Sequence, residues 1–314
     1  MSILSSKAGS GDQDRDSAWR RLVESIRGHR CVPFLGAGAC EGQIPLGGEM
    51  ARKWGVREGY PLRDMTSLPR VMQYIATVTY GGDATSLKER FVEHELARVP
   101  MPDFDSPRQI HGLLAEYDLP LYVTTNYDDF MFHALQHKRK EPRQAHSHWY
   151  EADTPDREVS PFSDPSYDPT PAKPLVFHLH GYHSVPKSLV LTEDDYIDYL
   201  VRLAGETQQR DALSETGLLP NYVYSSLRTN PLLFIGYSLR DWTFLVLFRA
   251  LLRGIPESER RKHVSVQIDP GEKSPKRARE YLGKYLQAQS IQVFWDSAPD
   301  FAEKLKHRME GSAP

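Results

Sequence analysis

Cysteine is almost missing from this chain: Cys31 and Cys40 are the only two in 314 residues. That excludes a disulfide scaffold and a zinc module built on four cysteines. Long apolar runs are missing as well, and nothing approaches the ~18 residues of a membrane span. The first residues, Met1-Ser-Ile-Leu-Ser-Ser-Lys, lack the basic-then-apolar pattern of an export signal, so a cytoplasmic protein is expected. An excess of one charge is also absent, with 39 Lys+Arg against 42 Asp+Glu and a net charge of −3. Broad, non-specific nucleic-acid binding is therefore not expected. What is present, 39% hydrophobic and 26% charged residues, is the composition of a globular protein. The length fits two average domains, or one large α/β domain with insertions.

The Gly/Ser/Asp-rich residues 1–16 read as a flexible tail. Ser17 reads as the N-cap of a helix carrying Trp19, Leu22, Val23 and Ile26. Cys31–Leu35 is a buried strand running into Gly36-Ala37-Gly38. From about 48 to 112 the apolar residues keep helical spacing, which predicts a helical insertion. Leu119–Thr125 is the next strand, followed by a helix over Phe130–His137. Residues 142–174 are expected to be a long loop, because six of the 23 prolines fall between Pro155 and Pro174. Further strands are expected at 174–180, 188–192, 231–236, 263–268 and 291–295, with Thr192–Asp195 as a capping box. A helical stretch follows Gly236 through Leu252, and a final helix covers about 300–309. Buried strands alternating with helices mean α/β architecture, a doubly wound Rossmann-like parallel sheet. The helical stretch and the Pro-rich loop are expected to cover its ligand cleft.

Gly36 and Gly38 open a GxGxxG fingerprint, but Glu41 stands where the third glycine belongs. Two such glycines either let the backbone approach a pyrophosphate or simply make a tight turn. No second strand with an acidic ribose ligand follows, which disfavours a simple dehydrogenase. Asn126 and Asp128 follow a buried strand, where open parallel sheets bind ligands. An Asx-turn with a helix cap explains the same two residues. His180 ends another strand, where a neutral imidazole takes a proton near pH 7, with His178 packed behind it. His178-x-His180-x-x-His183 and His133-x3-His137 have metal-like spacing, yet neither completes a ligand set. No metal is expected. Cys31 and Cys40 flank the first strand as core or pocket-lining residues.

Taken in order, Gly36-Ala37-Gly38, Thr125-Asn126-Tyr127-Asp128, His178-Leu179-His180-Gly181 and Ile235-Gly236-Tyr237-Ser238 resemble the motifs of the sirtuin-like fold. The resemblance is to the sirtuin-like NAD hydrolases of bacterial anti-phage defence, and it covers most of residues 30–250. It implies one zinc-free domain over 17–314 with NAD as substrate. Gly36, Ala37 and Gly38 would contact the phosphates and ribose. Asn126 would position the nicotinamide ribose and the attacking water, Asp128 the nicotinamide carboxamide, and His180 would be the base. Gly236 and Ser238 would line the adenosine end. The deacetylases' cysteine quartet is missing, and Ile44-Pro-Leu-Gly-Gly48 replaces their Pro-Asp-Phe-Arg region, which argues against an acyl-lysine substrate.

The resemblance thus implies an NAD glycohydrolase releasing nicotinamide and ADP-ribose. The alternatives are an NAD-dependent deacylase or ADP-ribosyltransferase, and a non-catalytic NAD or ADP-ribose sensor. Uncontrolled NAD loss would kill a host, and the elements above account for nearly all 314 residues without a sensor domain. The expected active form is accordingly a homo-oligomer or a complex with a HerA-like ATPase or an Argonaute-like protein.

Overall fold

The computed structural model describes residues 6–150, 160–164, 166–209, 218–237, 245–246, 248–250, 261–267 and 275–311. Its strands are β1 (Val32–Leu35), β2 (Leu121–Thr124), β3 (Arg143–His146), β4 (Leu175–His178), β5 (Leu232–Ile235), β6 (His263–Gln267) and β7 (Ile291–Trp295). They form one seven-stranded sheet of order β3-β4-β2-β1-β5-β6-β7. Every pairing is parallel. β1, β2, β4 and β5 are buried at all four positions, as strands covered by helices on both faces must be. This is the expected α/β, Rossmann-like class.

The helices are α1 (Ser6–Arg27), α2 (Gly47–Arg57), α3 (Leu68–Val78), α4 (Ala84–Glu95), α5 (Ile110–Glu116), α6 (Phe130–His137), α7 (Glu193–Gln209), α8 (Asn221–Thr229), α9 (Pro275–Gln287) and α10 (Ala298–Gly311). One sheet face is covered by α1, α5, α6 and α10, which bury Trp19, Leu114, Phe130 and Phe301 against Leu35, Tyr122 and Ile235. Trp19 stacks on Phe294 at 4.6 Å and on Phe301 at 5.2 Å. On the other face α7, α8 and α9 bury Tyr199, Leu227 and Leu286 against Phe34, Val123 and Phe234. Phe34 and Leu35 enter opposite cores because side chains alternate along a strand.

A third core belongs to α2, α3 and α4, where Met50, Trp54, Ile75 and Phe91 pack with Leu189 and Leu191. The 48–112 stretch is helical, but α5 leaves this group to cover the sheet. Thr192 and Asp195 do form a capping box. The Asp195 amide donates to Thr192 Oγ1 at 3.2 Å, and the Asp195 carboxylate accepts from the Thr192 amide at 2.8 Å. Lys88 of α4 reaches the same carboxylate at 2.8 Å inside the protein, joining the helical group to α7.

Three sequence expectations need correction. Residues 188–192 are not a strand: Pro186–Ser188 is a 3-10 turn, and Leu189, Val190 and Leu191 follow in irregular backbone. These side chains are buried because they lie between two cores, Leu189 and Leu191 in one and Val190 in the other. A short apolar run reports burial, not conformation. The second correction is β3, which lies inside the stretch read as a Pro-rich loop. Its Arg-Gln-Ala-His sequence carries little apolar signal, because an edge strand is covered on few sides. The third concerns the tail. The first helix begins at Ser6, so Ser17 lies within it and is not its N-cap, and the buried face opens with Ala18 and Trp19 after exposed Arg15 and Asp16. Extending a helix already anchored by its apolar end costs little, because nucleation is the unfavourable step. Residues 1–5 lie outside the described part, as do 151–159 and 165 of the loop and most of the 239–252 stretch. No described helix is long and apolar enough to cross a membrane.

Candidate functional site

The direction of winding reverses at β1. The chain passes from β1 to β2 on one side and returns as β5 on the other. The carboxyl ends of β1 and β5 therefore bound the switch crevice where open α/β sheets take ligands. Leu35 is in register with both Thr124 and Ile235, so Gly36, Thr125 and Gly236 leave the sheet side by side.

The glycines there hold two turns in backbone contact. Gly36 N–H donates to Ile235 O at 2.8 Å, Gly38 N–H to Gly236 O at 2.9 Å, and Ala39 N–H to Gly36 O at 2.8 Å. A Cβ on Gly38 would lie 2.9 Å from Gly236 Cα, and one on Gly236 only 2.2 Å from Ala39 N. Gly236 also has φ +80°, a left-handed conformation that favours glycine. The amides of Gly36 and Gly38 are thus engaged by β5 and its exit turn, while Ala37 is the exposed residue between them. Tyr237, which the sequence reading quoted but gave no role, closes the turn. Its hydroxyl donates to Leu35 O at 2.9 Å and lies 2.8 Å from Thr125 Oγ1. Ser238 lies outside the described residues.

Asn126 and Asp128 meet the glycine turn directly. Asn126 Nδ2 donates to Gly36 O and approaches Cys40 Sγ, both at 3.1 Å. The backbone of Asn126 is fixed from two sides, by its amide on Thr124 Oγ1 at 2.9 Å and by its carbonyl 3.3 Å from His178 Nδ1. His178 is the supporting residue that the sequence suggested. Asp128 is buried and accepts from the Phe130 amide at 3.0 Å, so the Asx-turn reading describes part of its role, while the N-cap position of α6 falls to Asp129. Its other oxygen accepts from the Cys40 thiol at 3.2 Å. Burial raises the Asp128 pKa. It also lifts that of Cys40 well above the ordinary thiol value, with Asp128 adding to the effect.

His180 lies two residues beyond β4, before Gly181, whose φ is +79°. A Cβ on Gly181 would meet Ser188 O at 2.2 Å, so that turn also requires glycine. The His180 ring is buried, edge-on to Tyr199 at 5.1 Å and to Tyr196 at 5.4 Å. Burial pushes its pKa down to about 3, so it is neutral at physiological pH. The metal-like histidine spacings disperse. His133 and His183 both meet the Asp129 carboxylate, at 3.0 and 3.1 Å, while His137 meets Asp105 at 3.0 Å. Donating to the Asp129 carboxylate raises the pKa of His183.

Sequence reasoning did not see His111. This buried residue of α5 brings Nε2 to 3.9 Å from Cys40 Sγ, and its pKa is lowered to about 4 by burial. A cavity of about 310 Å³ opens on the outer side of the turn, lined by Gly38, Ala39, Glu41, Asp103 and Gln109 among others. Asn126, Asp128 and His180 do not line it.

Residues 120–294, more than half of the chain, match the SIR2-like domain family. The chain belongs to that family. A relative among characterised proteins is the NAD(+) hydrolase ThsA of Acinetobacter baumannii (strain 532279), 24% identical over 226 residues. The match covers 70% of this chain and 39% of ThsA, so the chain spans well under half the length of that relative.

Proposed function

We propose that this SIR2-like chain hydrolyses NAD at the bond between nicotinamide and ribose, releasing nicotinamide and ADP-ribose. The observation that carries the reading is the Asn126 carboxamide, held by Gly36 O at the switch crevice of the sheet. The name of the ThsA relative agrees with it. In NAD the nicotinamide is a cationic leaving group. As the C1′–N bond breaks, its electron pair neutralises the pyridinium, and positive charge moves to the ribose as an oxocarbenium ion. Water then bonds to C1′ and loses one proton, which balances the reaction.

In this scheme Asn126 orients the nicotinamide ribose and the water, and Asp128 holds the carboxamide of the leaving group. His180 takes the proton. A base with a pKa of about 3 suffices for a late transfer, because water bonded to an oxocarbenium carbon is itself a strong acid. Ala37, the glycines beside it and Gly236 approach the nucleotide, and Ser238 is assigned to the adenosine end. The biological role that fits is depletion of NAD in anti-phage defence, with the active form an oligomer or a complex with a HerA-like ATPase or Argonaute-like protein. The 48–112 helices and the Pro-rich stretch are assigned to covering the cleft.

The test is incubation of purified chain with NAD, alone and with its co-expressed neighbours, followed by chromatography. Equimolar nicotinamide and ADP-ribose are expected. Nicotinamide release that requires an acylated peptide or a protein acceptor would replace this reading with a deacylase or transferase. Binding of NAD without turnover in every assembly would make the chain a sensor.

A further inference from the structure

We infer that Cys40, His111 and Asp128 form a binding site for a zinc-class divalent cation, and that loading it shuts off the catalytic centre. Their ligand atoms all lie within 4.8 Å of one another, and all three residues are buried. Thiolate, imidazole and carboxylate are the donors that borderline-soft cations prefer, and three such ligands leave one position for water. The separations of 3.2 Å from Cys40 Sγ to Asp128 and 3.9 Å from Cys40 Sγ to His111 suit one small ion after slight adjustment. Asp128 makes no direct ion pair among the described residues, and the nearby His183 binds Asp129 instead.

The route we assign is the cavity beside the glycine turn, which the three ligands adjoin without lining it. Ala39, next to Cys40, and Gln109, hydrogen-bonded to His111, line it, as do the acidic residues Glu41 and Asp103. Those acids favour a cation approaching the triad. Binding replaces the Cys40 thiol proton, which leaves to solvent, and Asp128 binds as carboxylate. Two anionic ligands then neutralise the dication. His111 is already uncharged, the form a metal requires.

One local rearrangement accompanies loading. Gln109 Oε1 accepts from the Gly112 amide at 2.9 Å, so its Nε2 faces His111 Nδ1 at 3.0 Å and the imidazole proton resides on Nε2. Coordination through Nε2 moves that proton to Nδ1, where it needs an acceptor. A carboxylate at position 109 would accept from both His111 and Gly112, so Gln109→Glu should tighten binding by about 10-fold.

Inhibition rests on the proposed function, because the metal takes Asp128 and the sulfur that supports Asn126. Binding does not rest on it. The full chain, stripped of metal, is titrated anaerobically with cobalt(II) and followed by absorbance, with circular dichroism as a check on folding. A thiolate-to-cobalt charge-transfer band saturating at one ion per chain, displaced by zinc, is expected. Folded Cys40→Ser should lose the band, His111→Gln should weaken it, and Gln109→Glu should reach half-saturation at lower cobalt. No band, or a band that survives Cys40→Ser and so arises from Cys31, overturns the site. NAD turnover unchanged by a saturating zinc load overturns the inhibition alone. A chain that binds cobalt but hydrolyses NAD neither alone nor with its co-expressed neighbours refutes the catalytic reading and leaves the metal site standing.

Discussion

Asn126 occupies its place through four separate contacts: its amide, its carbonyl and two directions of its carboxamide are each held. Such fixing preorganises a group for chemistry, since a misplacement of about 1 Å can cost 10²-fold in rate. Asn126→Ala and His180→Ala are expected to lower NAD turnover by about 10²–10⁴-fold while the chain stays folded. Product chromatography beside circular dichroism checks this, and near-wild-type turnover in folded His180→Ala would remove the proposed base. The buried imidazole makes a second expectation. With its pKa at about 3, His180 stays neutral through the range in which an ordinary histidine titrates. kcat/KM should therefore be flat from roughly pH 5.5 to 8, instead of falling on the acid side of about 6.5. A clear acid limb centred near 6.5 would mean that a solvated histidine, not His180, carries the proton.

Among the elements, the joint between α4 and α7 decides how the helical group sits on the sheet domain. Lys88 and Asp195 are both buried, and burial lowers the Lys88 pKa while Asp195 opposes that shift. Asp195 also accepts from the Leu191 and Thr192 amides at 2.9 and 2.8 Å, so it cannot turn away without releasing the start of α7. Lys88→Ala leaves that carboxylate buried without its cation and is expected to cost about 3–5 kcal/mol. Urea unfolding measures it directly. A loss below about 1 kcal/mol would show that the joint is open to water and screened. The motifs on either side of this joint were legible in sequence: Thr192-Glu-Asp-Asp195 announced the helix start. Its ion pair was not, because Lys88 and Asp195 stand 107 residues apart and nothing local marks them as partners.

For the molecule as a whole, buried histidine sets the response to acid. Burial lowers the pKa of His111, His178 and His263 to about 4, and of His146 and His180 to about 3. In the unfolded chain each returns to about 6.5. Below that value the unfolded chain binds protons that the folded chain does not, so stability falls as pH falls and is fully present above it. Each such histidine contributes a slope of up to about 1.4 kcal/mol per pH unit, and native domains hold only about 5–15 kcal/mol in total. Thermal melts should therefore show a flat Tm above roughly pH 7 and a steep drop between about pH 6.5 and 5. A Tm that holds to about pH 4 would contradict the burial of these rings.

The sequence by itself determined the strands β1, β2, β4, β5, β6 and β7, the glycines at 36, 38, 181 and 236, and the order of the four motifs. These are local properties: β1, β4 and β5 are apolar runs that exit into a glycine turn, a signal the run at 188–192 lacks, and a turn that brings two backbones together at a positive φ favours glycine. Tertiary structure alone decided the rest. β3 has no apolar face to announce it, and the buried run at 188–192 owes its character to two cores that meet around it. Cys40 draws His111 from 71 residues away and Asp128 from 88, placing the three together behind Asn126. No spacing in the chain encodes that meeting, because it depends on β1 and β2 pairing in parallel and on α5 packing across their ends.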